Sequence, residues 1–398
     1  MREINLSLIM HQLREHAPIS RATLAEITGL NKTTVSSLVQ ELIANQFVHE
    51  VGYDNAGVGR PAMLLELNPN AGCIISAEIG VDFVYAIRAN FAAEIDWSKK
   101  QTTSPGMSQD EILNIALAFI REAIDSRNEN CGDVLGLSLG VPGLVDQESG
   151  NLIFAPNLAW HNVPLARMLR ENFPGIPIFV DNEANLAALG EHYFGVAQGC
   201  DDVLYVSVGV GLGGGMVRNG QIFRGKAGFA GEFGHMTIDP YGRQCNCGNR
   251  GCWETVVSQS ALFRAIEQAV ADGKQTVLTE MTGGDFSALS MPLIRKAAEE
   301  GDAVALEALE KVGRYLGIGI AGLINALDPD LVVFGGILSL AADLLLPTVE
   351  AELRARTISW ETHSTQVVRS QHGFDACVMG GVAVVLQTIL AQPTAASR

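Results

Sequence analysis

The chain lacks an apolar run approaching the roughly 20 residues that cross a bilayer, so no membrane span and no membrane partner are expected. Its first segment, MREINLSLIMHQLREH, is amphipathic and carries acids. It has neither the apolar core nor the cleavage site of a signal peptide, so a cytoplasmic protein is expected. Positive charge is scarce: 27 Lys/Arg stand against 44 Asp/Glu, a net charge of −17. That balance excludes indiscriminate nucleic-acid binding. Any contact with DNA must come from a locally arranged surface. A disulfide framework is missing too, because seven cysteines are an odd number in a chain of 398 residues. Three of them crowd into CNCGNRGC and ask for another explanation. The length exceeds what one compact core serves, so two or three domains are expected.

Three short helical patterns open the chain. The first covers about residues 3–15, the second runs from a Ser20 cap to Gly29, and the third starts at Asn31. Only the turn GLN separates the last two, which is helix-turn-helix spacing, with small Ala25 at the crossing and Gly29 free to take positive φ. In the third helix Val35, Leu38, Val39 and Leu42 repeat at helical spacing and must face inward. Lys32, Thr33, Thr34, Ser36, Ser37 and Gln40 are left as the candidate DNA-reading set, groups suited to base edges and phosphates in a major groove. FVHEVG and AMLLELN then flank the glycine-rich YDNAGVGRP, two strands around a wing loop. Arg60, between Gly59 and Pro61, is placed to enter a minor groove.

Beyond Pro69 strands and helices alternate, which predicts an α/β architecture. Two stretches, beginning at Glu78-Ile-Gly and Ser207-Val-Gly, open with the same strand-glycine-strand logic, so the α/β part reads as a duplication with a cleft between two lobes. The expected division is a winged helix-turn-helix over 1–70, a first α/β lobe over 71–195, and a second lobe over 196–398 that carries the cysteine loop. The last helices are expected to pack back on the first lobe, and the tail AQPTAASR to fray.

The polar motifs collect at strand ends. Cys245, Cys247 and Cys252 lie ten residues or more after His235 of GEFGHM. Three thiolates and one imidazole fill a tetrahedral zinc shell with no open position, so the expected cofactor is a structural Zn2+ held by His235, Cys245, Cys247 and Cys252. That ion would fix a loop with Glu232 on one side and Glu254 on the other. Asn157 of APNLAW and the pair Asn182-Glu183 of VDNEANLAALGE fall at similar places. Asp181 or Asn182 can cap the helix that follows, and Glu183 then sits in its first turn. Amides and carboxylates grouped in this way can bridge the vicinal hydroxyls of a sugar.

These residues resemble the ROK family of sugar kinases and sugar-responsive repressors along essentially the whole chain. The E-x-G-H of Glu232 to His235 and the C-x-C-G-x-x-G-C-x-E of Cys245 to Glu254 match that family's motif position by position. The module in front is similar to its repressor branch. The resemblance implies an actin-like (ribonuclease H-like) two-lobed fold, the zinc ligands above, assembly as a homodimer or tetramer, and sugar contacts at Asn157, Asn182, Glu183, Glu232, His235 and Glu254.

Departures from the kinase pattern point away from catalysis. The family's Asp-x-Gly-Gly-Thr phosphate loop is here EIGVD, Glu78 to Asp82, and its second loop is Gly209-Val210-Gly211, without the hydroxyl donor. The kinases' catalytic Asp is Glu183 here, one methylene too long for a positioned base. No catalytic residue and no kinase activity are therefore expected. The same methylene would occupy the volume of a C6 hydroxyl, which suits a pentose such as xylose, with glucose as the alternative. The expected function is a sugar-responsive repressor of carbohydrate utilisation genes. It would bind an inverted-repeat, AT-rich operator and be released when sugar enters the inter-lobe cleft; an ATP-dependent sugar kinase fused to a DNA-binding module is the alternative.

Overall fold

Local signals set the first three helices. The computed structural model describes residues 1–54, 61–104, 106–127, 131–362 and 364–393. Helix α1 spans Arg2–His16, and a two-residue strand β1, Ile19–Ser20, leads into α2, Arg21–Thr28. The Ser20 hydroxyl accepts from the Thr23 N–H at 3.1 Å and so satisfies a first-turn donor. Gly29 then takes φ +69°, a left-handed stop that a side chain would strain. Asn31 accepts from the Thr34 N–H at 2.8 Å and starts α3, Lys32–Ala44. Two caps around one glycine make the turn short. Val35, Leu38, Val39 and Leu42 are buried, as are Leu6, Ile9, Met10 and Leu13 of α1. Lys32, Thr33, Ser36, Ser37 and Gln40 are exposed, and Thr34 is half-buried. Strands β2, Val48–Asp54, and β3, Ala62–Leu67, pair antiparallel with Val48 opposite Leu67, and β1 joins the other edge of β3. The connecting glycine-rich loop, Arg60 included, lies outside the described residues, as does most of the tail expected to fray.

The chain sorts into two units, the first comprising residues 1–139, 166–179 and 381–398 and the second 140–165 and 180–380. After the hairpin come β4, Cys73–Ile79, β5, Phe83–Asn90, and β6, Ile95–Thr102, then α4, Gln109–Asp125, and β7, Val134–Val141. Three short strands follow, β8 Leu144–Asp146, β9 Asn151–Ala155 and β10 Trp160–Val163, which form their own antiparallel sheet. Helix α5, Leu165–Asn172, leads to β11, Ile178–Asn182, and α6, Glu183–Phe194. The sheet of five then runs β11-β7-β4-β5-β6.

The second unit repeats the plan. Strands β12 Val203–Val208, β13 Leu212–Arg218 and β14 Gln221–Ile222 are an antiparallel meander. Helices α7 Glu254–Val257, α8 Gln259–Ala271, α9 Leu278–Met281, α10 Met291–Glu299 and α11 Ala303–Leu327 intervene before β15, Leu331–Gly335. Helix α12, Ala342–Arg356, strand β16, Gln366–Arg369, and α13, Ala376–Ala391, complete the chain. The order is β14-β13-β12-β15-β16, with β15 and β16 parallel to β12 and to each other. Counted by appearance in the chain, both sheets place the third strand at one edge, then the second, first, fourth and fifth. The duplication read from two similar glycine motifs is thus a duplication of strand order.

Unbroken apolar runs such as LVVFG are buried along their whole length, as expected of parallel strands covered on both faces. Helix α11 lies against α12, and its Gly317 permits the approach: a Cβ there would stand 2.7 Å from the Glu352 Cβ. One expectation needs correction. Residues Gly373–Ala391 are long and apolar enough, by length and composition, to cross a membrane, the one such helix among the described residues. Its 67% burial shows where that apolarity goes. Val378, Val382, Val385 and Leu386 are core residues of a covered α/β layer.

Candidate functional site

The stretch VDNEAN turns a strand into a helix, and each polar side chain has a distinct task. Asn182 is the cap: its Oδ1 accepts from the Ala184 N–H at 2.8 Å and the Asn185 N–H at 3.3 Å. Its Nδ2 donates to the Gly143 carbonyl at 3.0 Å, which fixes the amide's orientation. Asp181 points inward. It pairs with Arg224 at 2.7 Å and accepts from Gln147 Nε2 at 3.0 Å, Asn185 Nδ2 at 3.2 Å and the Asn182 N–H at 2.8 Å. Burial pushes its carboxyl above the usual range, and Arg224 and these donors oppose the shift. Glu183 occupies the first turn of α6 and is half-buried. Farther along α6, Glu191 is fully buried and accepts from Ser370 Oγ at 2.5 Å and the His372 N–H at 2.8 Å.

The cysteine loop is built from tight turns. Thr237 bridges to Cys252 and Gln244 to Arg250, with Gly248 and Gly251 at φ +93° and +71°. A Cβ on Gly251 would fall 1.5 Å from the Asp239 carbonyl oxygen, so only glycine fits. The turns gather His235, Cys245, Cys247 and Cys252, whose ligand atoms all lie within 4.8 Å of one another. Cys247 and Cys252 sulfurs are 3.7 Å apart, and Cys245 Sγ is 3.7 Å from His235 Nδ1. A tetrahedral ion about 2.3 Å from each sulfur separates its ligands by roughly 3.8 Å, so this set could hold a metal ion. Burial raises the Cys245 thiol's pKa, and the hydrogen bond to Glu254 adds to that; burial and then Cys247 raise that of Cys252. A bound cation is what would favour their thiolates.

Two carboxylates touch this cluster. Glu254 is buried, with Oε1 2.9 Å from Cys245 Sγ and 3.8 Å from His235 Nδ1. Glu232 Oε2 stands 3.8 Å from the other ring nitrogen, Nε2. Burial pushes the Glu232 carboxyl up, opposed by His235 and reinforced by Glu254. Asn157 Oδ1 accepts from Asn246 Nδ2 of the loop at 3.1 Å.

The start of β13 binds these groups into one place. A Cβ on Gly211 would meet Asn157 Nδ2 at 2.6 Å and Glu254 Oε2 at 2.7 Å, and one on Gly213 would meet Glu183 Oε1 at 3.2 Å. Two strand residues span roughly 6.6 Å. Asn157, Glu183, Glu232, His235 and Glu254 therefore share one polar site, with Asn182 beside it as cap of α6. Sequence reasoning missed Gln147 and Arg224 and saw Asp181 only as a cap candidate. An acid directly before the Asn182 cap, unable to cap as well, was the available signal. Glu78 and Asp82 belong to the first unit, where Glu78 is buried in β4. Gly209-Val210-Gly211 is tied to the start of α8, the Gln259 N–H donating to the Gly209 carbonyl at 2.8 Å.

A duplicated α/β fold that carries this acid, amide and thiol constellation is placed by comparison with known proteins. Residues 74–388 match the ROK family model, and the chain belongs to the ROK family. A xylose repressor of Caldicellulosiruptor bescii is 34% identical over 393 residues, covering 99% of this chain and 98% of that protein. Among solved structures, a ROK family transcriptional regulator described as a homolog of the E. coli MLC protein superposes with TM-score 0.83 at 29% identity, over 98% of this chain and 97% of its own. A ROK family glucokinase from Streptomyces griseus, in complex with glucose and AMPPNP, gives TM-score 0.72 at 32% identity, over 79% of this chain and 99% of that one. The fold thus resembles both a regulator and sugar kinases.

Proposed function

We propose that the protein is a cytoplasmic, sugar-responsive transcriptional repressor, with xylose as its effector. The observation that carries this reading is the exposed polar face of α3 on a capped helix-turn-helix, in a chain that also gathers acids and amides at one place. Lys32, Thr33, Thr34, Ser36, Ser37 and Gln40 form the recognition surface, and Arg60, outside the described residues, is a further DNA contact in this reading. A homodimer would present two such modules to an inverted repeat. Similarity over nearly the whole chain to a xylose repressor and to a ROK family transcriptional regulator supports it.

Sugar hydroxyls are bridged by Asn157, Glu183, Glu232, His235 and Glu254, with Asn182 holding the start of α6. The zinc ligands are His235, Cys245, Cys247 and Cys252, and a structural ion there keeps His235 and Glu254 in register. His235 Nδ1 lies 3.7 Å from Cys245 Sγ and Nε2 3.8 Å from Glu232, so with an ion held there one imidazole would link it to the sugar site. Sugar favours a conformation that binds operator poorly. A hundredfold difference in sugar affinity between the two conformations corresponds to about 2.7 kcal/mol, enough to release a moderately biased repressor.

Likeness to the glucokinase keeps the kinase alternative concrete. Glu183 in place of Asp, and Asp82 and Val210 in the phosphate loops, argue against it. Calorimetry should find xylose bound more tightly than glucose, and a coupled assay should find no sugar-dependent ATP consumption. Tighter glucose binding would overturn the pentose preference, and turnover that disappears in Glu183→Ala would establish the kinase.

A further inference from the structure

Cations in this chain are few, and in the second unit most helical arginines are matched to an acid one turn away, as in Arg295–Glu299, Arg314–Glu310, Arg354–Glu350 and Arg356–Glu352. Three cations break that rule together. Arg243 of the cysteine loop, Arg264 of α8 and Lys311 of α11 line one cavity of about 500 Å³ in the second unit. None of the three makes an ion pair among the described residues. Glu267 is the one acid in the lining.

Helix geometry explains how the cavity arises. Leu262 and Ile266 bury one face of α8 in the core, which turns Arg264 and Gln268, one turn apart, to the cavity. Ala261 and Ala265 on the same side leave room. Arg264 is oriented by a hydrogen bond from Nη2 to the Thr255 carbonyl at 3.0 Å, with the rest of its fork free to meet a ligand. Burial and then the charge of Arg243 lower its hold on its proton, with Glu267 opposing them, so the two guanidinium groups repel across a cavity that one acid partly balances. An anion between them removes that repulsion. A planar arginine fork matches phosphate oxygens in pairs, and a lysine adds a point charge.

We infer that this cavity is a binding site for a small phosphomonoester, held by Arg243, Arg264 and Lys311 and separate from the sugar-type site. The volume admits a phosphorylated sugar or similar metabolite, with Glu267 and the Gln268 side-chain oxygen available to its hydroxyls while Gln268 Nε2 donates to Asp272 at 2.8 Å. The ligand would lie on Arg243 and Thr255, which flank the metal cluster in sequence, and so would brace the loop that carries Glu254.

The test is titration calorimetry on the full-length protein in phosphate- and sulfate-free buffer, with ribose 5-phosphate and, separately, inorganic phosphate. Saturable binding of ribose 5-phosphate is expected, weakened about tenfold or more in Lys311→Gln and in Arg264→Gln. Lys311 is exposed, so its variant tests the site even where Arg264→Gln destabilises the fold. Xylose at saturation should leave the binding intact. Inorganic phosphate should compete, weakly. Absence of binding, full affinity in Lys311→Gln, or displacement by xylose would each overturn the assignment, the last by placing the ligand in the sugar site.

Discussion

Cys252→Ser is expected to lower the protein's melting temperature by roughly 10 °C, a loss of about 4 kcal/mol or more. Cys252 is fully buried, and its sulfur is 3.7 Å from that of Cys247. A serine oxygen is a poor replacement for a thiolate at a soft four-ligand site, so the ion is lost. What remains is a loop of tight turns whose buried polar groups have lost their centre. Glu254 would then lie buried beside an imidazole and thiols, with no cation to offset its charge. Chelation of the wild type should reproduce the shift, and added zinc should reverse it there but not in the variant. Cys200→Ser, outside the cluster, should melt like the wild type. A Cys252→Ser protein that melts normally and ignores chelator would mean that the cluster holds no structural metal.

Glu232→Ala should weaken sugar binding about a hundredfold in calorimetry, while metal content and melting stay near wild type. A carboxylate bound to a sugar hydroxyl makes a charge-assisted hydrogen bond worth about 1.5–3 kcal/mol. Glu232 is in addition the acid that stands 3.8 Å from His235 Nε2, and its removal leaves that ring less firmly oriented. Glu232→Gln retains an acceptor and should lose less, about tenfold. Unchanged sugar affinity in Glu232→Ala would remove this residue from the site. Loss of the metal together with the sugar would make its role structural.

Much of this was readable from residue order because the signals are local. Ser20, Gly29 and Asn31 each act on backbone groups within three residues, so helix ends follow from the sequence alone. The metal cluster is legible for a similar reason: three of its four donors fall within CNCGNRGC, where glycines dictate the turns. Alternation of strands and helices gave the α/β class, but the strand order needed the pairing of β12 with β15, distant segments whose apolar runs carry no address. The Asp181–Arg224 pair was invisible because Asp181 lies near the end of β11 while Arg224 lies in the loop after β14, and a loop arginine reads as solvent-facing until the topology is known. Asn182 shows the reverse limit. Its amide looked like a ligand contact, and three of its hydrogen bonds go to backbone, so any sugar contact must share a group already committed to capping α6. The span-length apolarity of the helix near the carboxyl end was not expected because its glycines, alanines and Asp375 break up what the fold buries as one surface.

The most direct test of the repressor reading is fluorescence anisotropy of labelled DNA from the protein's own upstream region, at fixed moderate salt because affinity depends steeply on it. Xylose, glucose and N-acetylglucosamine are titrated separately into the complex. Expected are tight binding to an inverted repeat, release by xylose at the lowest concentration, and no release from the Glu232→Ala protein at that concentration. DNA that stays bound whatever sugar is added, or a protein that binds no DNA, would contradict it.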